Sequence, residues 1–200
     1  AGGKSLALTG PSGAGKTSLL AALGLLAKFR DGSYRLDGED VTKLSPKRRD
    51  QFRAHRVGFV FQGFSLLGHL NALDNVAVPL VQRGAPRSVR AARAVAIDAL
   101  AAVGLADAMR KRPLQLSGGE KQRVAIARAI AVKPSLILAD EPTGSLDSRN
   151  AELVRDLLLS VAADADACLV VATHDESLAD QLDSRVRIGE RAGASRGGRL

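Results

Sequence analysis

Residues 10–17 read Gly10-Pro11-Ser12-Gly13-Ala14-Gly15-Lys16-Thr17, between the apolar run Leu6-Ala7-Leu8 and a helix-like apolar run from Leu19 to Leu26. The spacing G-x4-G-K-[ST] between a strand and a helix is that of a nucleotide phosphate loop. Glycines at 10, 13 and 15 let the backbone curl so that several N–H groups face a β-phosphate, with the positive end of the next helix behind them. Lys16 is placed to reach the β- and γ-phosphates, and Thr17 to ligand Mg2+. With Ser18 alongside, residues Gly10 to Ser18 form the expected nucleotide cradle.

Outward from this loop, runs at Ser5–Thr9, Val57–Phe61, Ser135–Ala139 and Leu169–Thr173 are apolar on both faces, as parallel strands covered by helices require. Ser88 to Val103 has helical periodicity, with Val89, Ala92, Ala96, Ile97, Leu100 and Val103 on one side, and stops at Gly104. Gly63 to Leu116 holds no comparable buried strand and reads as a mostly helical insertion. Leu66, Leu67, Leu70 and Leu73 within it are either an exposed apolar patch or the insertion's own core.

Two hundred residues, 46% of them hydrophobic, make one α/β domain with a full core and leave no room for a second. No stretch approaches the roughly 20 apolar residues of a membrane span. Cys168 is the only cysteine, so a disulfide framework is excluded; it reads as a small core residue. The net charge of +8 suits nucleotides, acidic surfaces or nucleic acid. Aromatics are only 3%, which argues against a base-stacking platform, and no direct nucleic-acid partner is expected. The chain opens without Met, already inside a strand, and reads as a piece of a longer protein. Residues 191–200 read as a mobile tail.

A phosphate loop alone fits many ATPases and GTPases; the discriminating stretch is Leu116-Ser117-Gly118-Gly119-Glu120-Lys121-Gln122-Arg123. Ser117 and Glu120 form a capping box ahead of Val124, Ile126, Ala127 and Ile130. That does not account for two consecutive glycines in a first helical turn, each costing roughly 1 kcal/mol where other residues would serve. Such glycines let a ligand approach the backbone at a positive helix end.

With Gly10–Thr17 this stretch resembles the ATP-binding cassette (ABC) transporter nucleotide-binding subunit, over nearly the whole chain. The resemblance implies an α/β P-loop NTPase (RecA-like) core of mainly parallel sheet from residues 1–62 and 117–200, an inserted helical subdomain at 63–116, and missing N-terminal strands. It implies that Ser117, Gly118 and Gly119 act in trans on ATP held at Lys16 of a second copy, in a head-to-tail homodimer. Asp140, after the run Ser135–Ala139, supports Mg2+ through its water shell, and Glu141 orients and polarises the attacking water. Gln62, ending Val57-Gly-Phe-Val-Phe-Gln62, resembles the Q-loop glutamine that senses Mg2+ and lytic water. His174 resembles the switch histidine that contacts the γ-phosphate, and Ser145-Leu146-Asp147 the D-loop that couples the two sites.

Glu120 stands where many members carry Gln, a change common in one branch of exporters. The family's adenine-stacking aromatic lies upstream of the phosphate loop, and residues 1–9 contain none. Gln62-Gly-Phe-Ser-Leu-Leu67, Asn71-Ala-Leu-Asp-Asn-Val76 and Glu141-Pro-Thr-Gly-Ser-Leu-Asp147 resemble the lipoprotein-release, macrolide-export and cell-division branch. The implied function is ATP hydrolysis with Mg2+, driving a separate integral membrane permease from the cytoplasmic face of the inner membrane. An ATPase acting mainly as a membrane-associated scaffold is the alternative. A DNA- or ribosome-acting ABC ATPase fits less well: the DNA-acting type carries a long coiled coil, and no heptad run separates Lys16 from Ser117, while the ribosomal type usually carries two cassettes in one chain.

Overall fold

The computed structural model describes residues 3–29, 31–83 and 88–189. The proposed tail, 191–200, lies outside them. Strands β1 (Ser5–Thr9), β4 (Val57–Phe61), β5 (Leu136–Asp140), β6 (Cys168–Ala172) and β7 (Ser184–Arg187) form one sheet in the order β4-β5-β6-β1-β7. Every neighbouring pair in it is parallel. A separate antiparallel hairpin joins β2 (Arg35–Leu36) to β3 (Glu39–Asp40).

Strand periodicity splits the core into two faces. Leu8, Leu136, Leu138, Val170 and Ala172 point to the side covered by Leu20 of α1 (Lys16–Leu23). Their alternates Ala7, Ile137, Ala139, Leu169 and Val171 point to the other, beneath helices α5 (Gly118–Ile130) and α6 (Ser148–Asp164). Both faces are buried, which is why these runs lack an alternating polar pattern. β5 and β6 lie one residue from the sequence-based bounds, ending at Asp140 and Ala172.

Among the described residues, those between Phe61 and Gly118 contribute helices but no strand: α3 (Ala72–Gln82), α4 (Val89–Ala102) and two short 3-10 turns. Ser88 caps α4 by accepting from the Ala91 N–H, and Gly104 leaves it at φ 69°. Ala92, Ala96, Ala99, Leu100 and Val103 are its buried face. Val89 and Ile97 are exposed instead, because the helix packs over small alanines and leaves the β-branched flank to solvent. Of the four leucines after Gln62, Leu66 and Leu73 pack against the main core, Leu70 is half-buried and Leu67 is exposed. The fully buried Asn75 ties their loop down, accepting from Leu67 N–H (2.7 Å) and donating to the Leu67, Leu70 and Asn71 carbonyls.

The helix α2 (Pro46–Arg56) was not anticipated, since it buries only Phe52 and carries a polar, basic surface. Phe52 joins Leu25, Val41, Phe29 and Tyr34 in a small third cluster. Burial there pushes the Tyr34 hydroxyl up to about 12.

Two features of the fold give direct tests. A Cβ on Gly58 of β4 would stand 2.6 Å from the Ala129 carbonyl oxygen of α5. Backbone cannot yield as a side-chain tip can, so Gly58→Ala is expected to lower stability by about 1–3 kcal/mol in chemical denaturation. At the start of α5, Glu120 Oε2 accepts from Ser117 N–H (2.7 Å), Ser117 Oγ accepts from Glu120 N–H (3.2 Å), and Lys111 donates to Glu120 (3.2 Å). The Ser117 backbone bond, foremost, holds the Glu120 carboxyl below its ordinary value. A depressed folded value stabilises the protein above the unfolded value and loses that contribution as pH falls through the folded one. The advantage of wild type over Glu120→Gln is therefore expected at neutral pH. It shrinks as pH drops below roughly 4.3 and vanishes once the carboxylate is protonated in the folded state, read by guanidinium melts across pH 3–7.

Candidate nucleotide site

The parallel register aligns Phe61, Asp140 and Ala172 across β4, β5 and β6. The chain leaving this row, and the chain leaving β1, carries Gln62, Glu141, Thr173 with His174, and Gly10. This is the carboxyl edge at which open α/β sheets take ligands.

From β1 the loop turns at Gly10, φ 142°, where any Cβ would overlap the Ile188 carbonyl oxygen. Gly13 and Gly15 also have positive φ, 77° and 98°, and no atom lies within 4 Å of where a Cβ would be. The loop is thus an open cradle at the N-terminus of α1, with room for an anion against the backbone. Lys16 Nζ donates across it to the carbonyls of Gly10 (2.8 Å) and Pro11 (3.3 Å). Thr17 Oγ1 donates to Asp140 Oδ2 (2.9 Å), joining the helix to β5. A hydroxyl and a carboxylate in contact at the mouth of such a cradle are a donor set that fits Mg2+, which keeps most of its waters and takes few protein ligands.

Glu141 adopts φ 45°, a left-handed conformation uncommon outside glycine, with its N–H donating to the Ala172 carbonyl (2.9 Å). Its side chain is largely buried, and Oε2 accepts from His174 N–H (3.3 Å) and Thr173 Oγ1 (3.4 Å). The same oxygen lies 2.8 Å from His174 Nδ1, while the His174 ring is 72% exposed. Gln62 closes the side: Ser145 Oγ donates to its carbonyl (3.4 Å), and its Nε2 lies 3.0 Å from where a Gly144 Cβ would be. Gly144 N–H in turn donates to the Glu141 carbonyl (3.1 Å). Lys16, Thr17, Asp140, Glu141, His174 and Gln62 all leave this one edge.

Ser117, Gly118, Gly119 and Asp147 form a second group. Asp147 caps α6, accepting from Asn150 N–H (3.0 Å) and Asn150 Nδ2 (2.6 Å), and the backbone bond foremost holds its carboxyl below the usual range. Cβ atoms on Gly118 and Gly119 would meet Leu146 (3.2 Å) and Asn150 (2.5 Å), so the two turns are packed together. Among the described residues no hydrogen bond links Ser117–Gly119 to Gly10–Ser18. Sequence reasoning missed Thr173, Asn150 and Ile188. Thr173 stood legibly between a buried strand and His174, but nothing local marks Asn150 or a carbonyl 178 positions from Gly10.

The rings of Phe29 and Tyr34 meet each other (centroids 5.5 Å apart) within the α2 cluster. They are committed to packing there. Among the described residues no group of three or more His, Cys, Asp or Glu side chains is placed to hold a metal alone.

The family profile described as ABC transporter matches residues 1–144. The chain is 43% identical to a lipoprotein-releasing system ATP-binding protein, LolD 1, of Rhodopirellula baltica, over 98% of this chain and 84% of that one. It is 45% identical to LolD of Pseudoalteromonas translucida, over 90% and 77% of the two chains. The macrolide export ATP-binding/permease protein MacB of Rhodopirellula baltica is 44% identical over 93% of this chain and 27% of its own length. Among solved structures, the dimeric post-hydrolysis state of the ATP-binding cassette MJ0796, bound to ADP and Pi, superposes with a TM-score of 0.82 at 36% identity, covering 94% of this chain and 82% of that one. Phosphate loop, Ser-Gly-Gly turn and profile agree, and the chain belongs to the ABC transporter family of ATP-binding proteins.

Proposed function

We propose that this chain is the ATP-hydrolysing subunit of an ABC transporter, closing head-to-tail as a homodimer around two ATP and driving a separate membrane permease in export or lipoprotein release. The observation that carries this reading is the pairing at one sheet edge of Thr17 with Asp140 and of Glu141 with His174, beside an open glycine cradle. Attachment to the cytoplasmic face through the permease is part of this reading; among the described residues no helix is long and apolar enough to cross a membrane. The nucleotide core is 1–62 with 117–200, and 63–116 is the helical subdomain.

Backbone N–H groups of Gly13 to Thr17 receive the phosphate oxygens, and Lys16 turns from the Gly10 and Pro11 carbonyls to the β- and γ-phosphates. Thr17 and Asp140 would hold Mg2+, which when bound would neutralise charge developing on the phosphate oxygens. Glu141 aligns a water for in-line attack and takes its proton at a carboxylate oxygen. Gln62, packed on the Glu141–Gly144 turn, orients that water and reports on it. His174 is exposed enough to swing its ring from Glu141 toward the γ-phosphate, which frees a carboxylate lone pair for the water. Ser117 and Gly119 of a second copy close over the same phosphate, and Asp147 ties that closure to the opposite site. The Glu141–His174 pairing favours turnover over a purely scaffolding role.

Glu141→Gln keeps the side-chain shape but cannot take the proton. Its expected outcome is turnover reduced at least a hundredfold with ATP binding retained, and an ATP-dependent dimer on size exclusion. Undiminished turnover would remove Glu141 from the mechanism. Mixing Lys16→Ala with Ser117→Arg chains should restore part of the ATPase activity, because one composite site per mixed dimer is intact. Strict additivity of two inactive proteins would exclude action in trans.

A further inference from the structure

Away from the phosphate loop, a recess of about 580 Å3 opens beside α2. Arg48, Phe52, His55 and Arg56 line it from one face of that helix, spaced three or four residues apart. Arg83 enters from the C-terminal end of α3, and Lys133 from the turn between α5 and β5. Glu39 is the one carboxylate among the described lining residues.

Two of these cations are partnered, Arg48 at 3.9 Å from Glu39 and Arg56 at 3.5 Å from Asp37. Among the described residues, the side chains of Arg83 and Lys133 have no hydrogen bond or ion pair. Residues 84–87, which follow Arg83, are Gly, Ala, Pro and Arg and bring no carboxylate. Behind Arg83 stand Arg53, whose guanidinium is directed to the Leu25 carbonyl and Asp50, and Arg128, directed to the Phe64 and Ser65 carbonyls. Burial first, and then this like charge, holds the guanidiniums of Arg83 and Arg128 below their ordinary value.

Complementing helix ends does not account for so much charge. The C-termini of α2, α3 and α5 supply roughly half a negative charge each. Added to Glu39 and to the Asp37 that pairs with Arg56, they still fall short of the four permanent cations in the lining, and the recess stays positive. A guanidinium drawn from water without a counter-charge is costly, and its planar fork matches the oxygens of a phosphate. A volume of this size suits a small phosphorylated molecule or a polar headgroup better than a lone ion.

We infer that the recess between α2, the end of α3 and the α5–β5 turn is a second anion site, separate from the nucleotide cradle, that takes a phosphate-bearing ligand through Arg83 and Lys133. The shared chemistry is a phosphate group, carried by a soluble molecule or by an anionic lipid headgroup.

The test uses the full chain with excess ADP and Mg2+ filling the cradle. Inorganic pyrophosphate is titrated by calorimetry, and sedimentation is measured with vesicles of phosphatidylglycerol or of phosphatidylcholine. The double variant Arg83→Gln/Lys133→Gln is expected to keep basal ATPase activity and bind at least tenfold more weakly. Without anion its Tm should equal or exceed that of wild type, since crowded charge has been removed; Arg48→Gln, on the opposite wall, gives an independent weakening. Pyrophosphate binding lost in the double variant assigns a soluble phosphate. Retention on phosphatidylglycerol but not phosphatidylcholine, lost in the double variant and without pyrophosphate binding, assigns a headgroup. Binding of neither, or binding that the double variant keeps, overturns the site.

Discussion

Three residues in register, Phe61, Asp140 and Ala172, fix where the chemistry happens. Parallel pairing ends adjacent strands at the same height, so the residues that follow emerge side by side although they are far apart in sequence. A one-residue slip of β5 would exchange its two packing faces and carry Asp140 away from Thr17. The alternation of Leu136 and Leu138 against Ile137 and Ala139 guards against that slip, because each set fits its own cluster. Hydrophobic packing thus sets the position of carboxylates that contribute little to the core themselves.

Unusual backbone conformations also stand at this edge. Gly10 is wedged over the Ile188 carbonyl, and Glu141 is held left-handed by its bond to Ala172. Strained conformations of this kind cost of order 1–3 kcal/mol and persist only where surrounding packing over-determines them. For Glu141 the reward is direction: its carboxylate turns back toward Thr173 and His174 instead of continuing the strand outward.

Much of this was legible in the sequence, for identifiable reasons. Strands β1, β4, β5 and β6 announced themselves because the runs are continuously apolar, as burial on both faces requires. Gly104 and Ser88 marked the ends of α4, because capping is local chemistry. Val89 and Ile97 misled, since helical periodicity finds an apolar stripe but not how far it rotates when small alanines allow closer packing. β7, β2, β3 and α2 were missed because they are short, exposed or basic, and their places depend on distant partners. The site was legible at each motif separately; that Asn150 fills the space over Gly119, or Gln62 that over Gly144, follows only from the folded chain.

Gly118 against Leu146 and Gly119 against Asn150 pack the Ser-Gly-Gly turn directly on the start of α6. Four residues separate Leu146 from Glu141 of the same chain, and in the proposed head-to-tail dimer Ser117 would face the nucleotide of the other copy. In that dimer a nucleotide that displaced one turn would displace the other, and occupancy at one cavity would alter the free energy of filling its twin. Linkage makes that influence reciprocal and equal in both directions. The two glycines, by letting the turns touch, would be what transmits it.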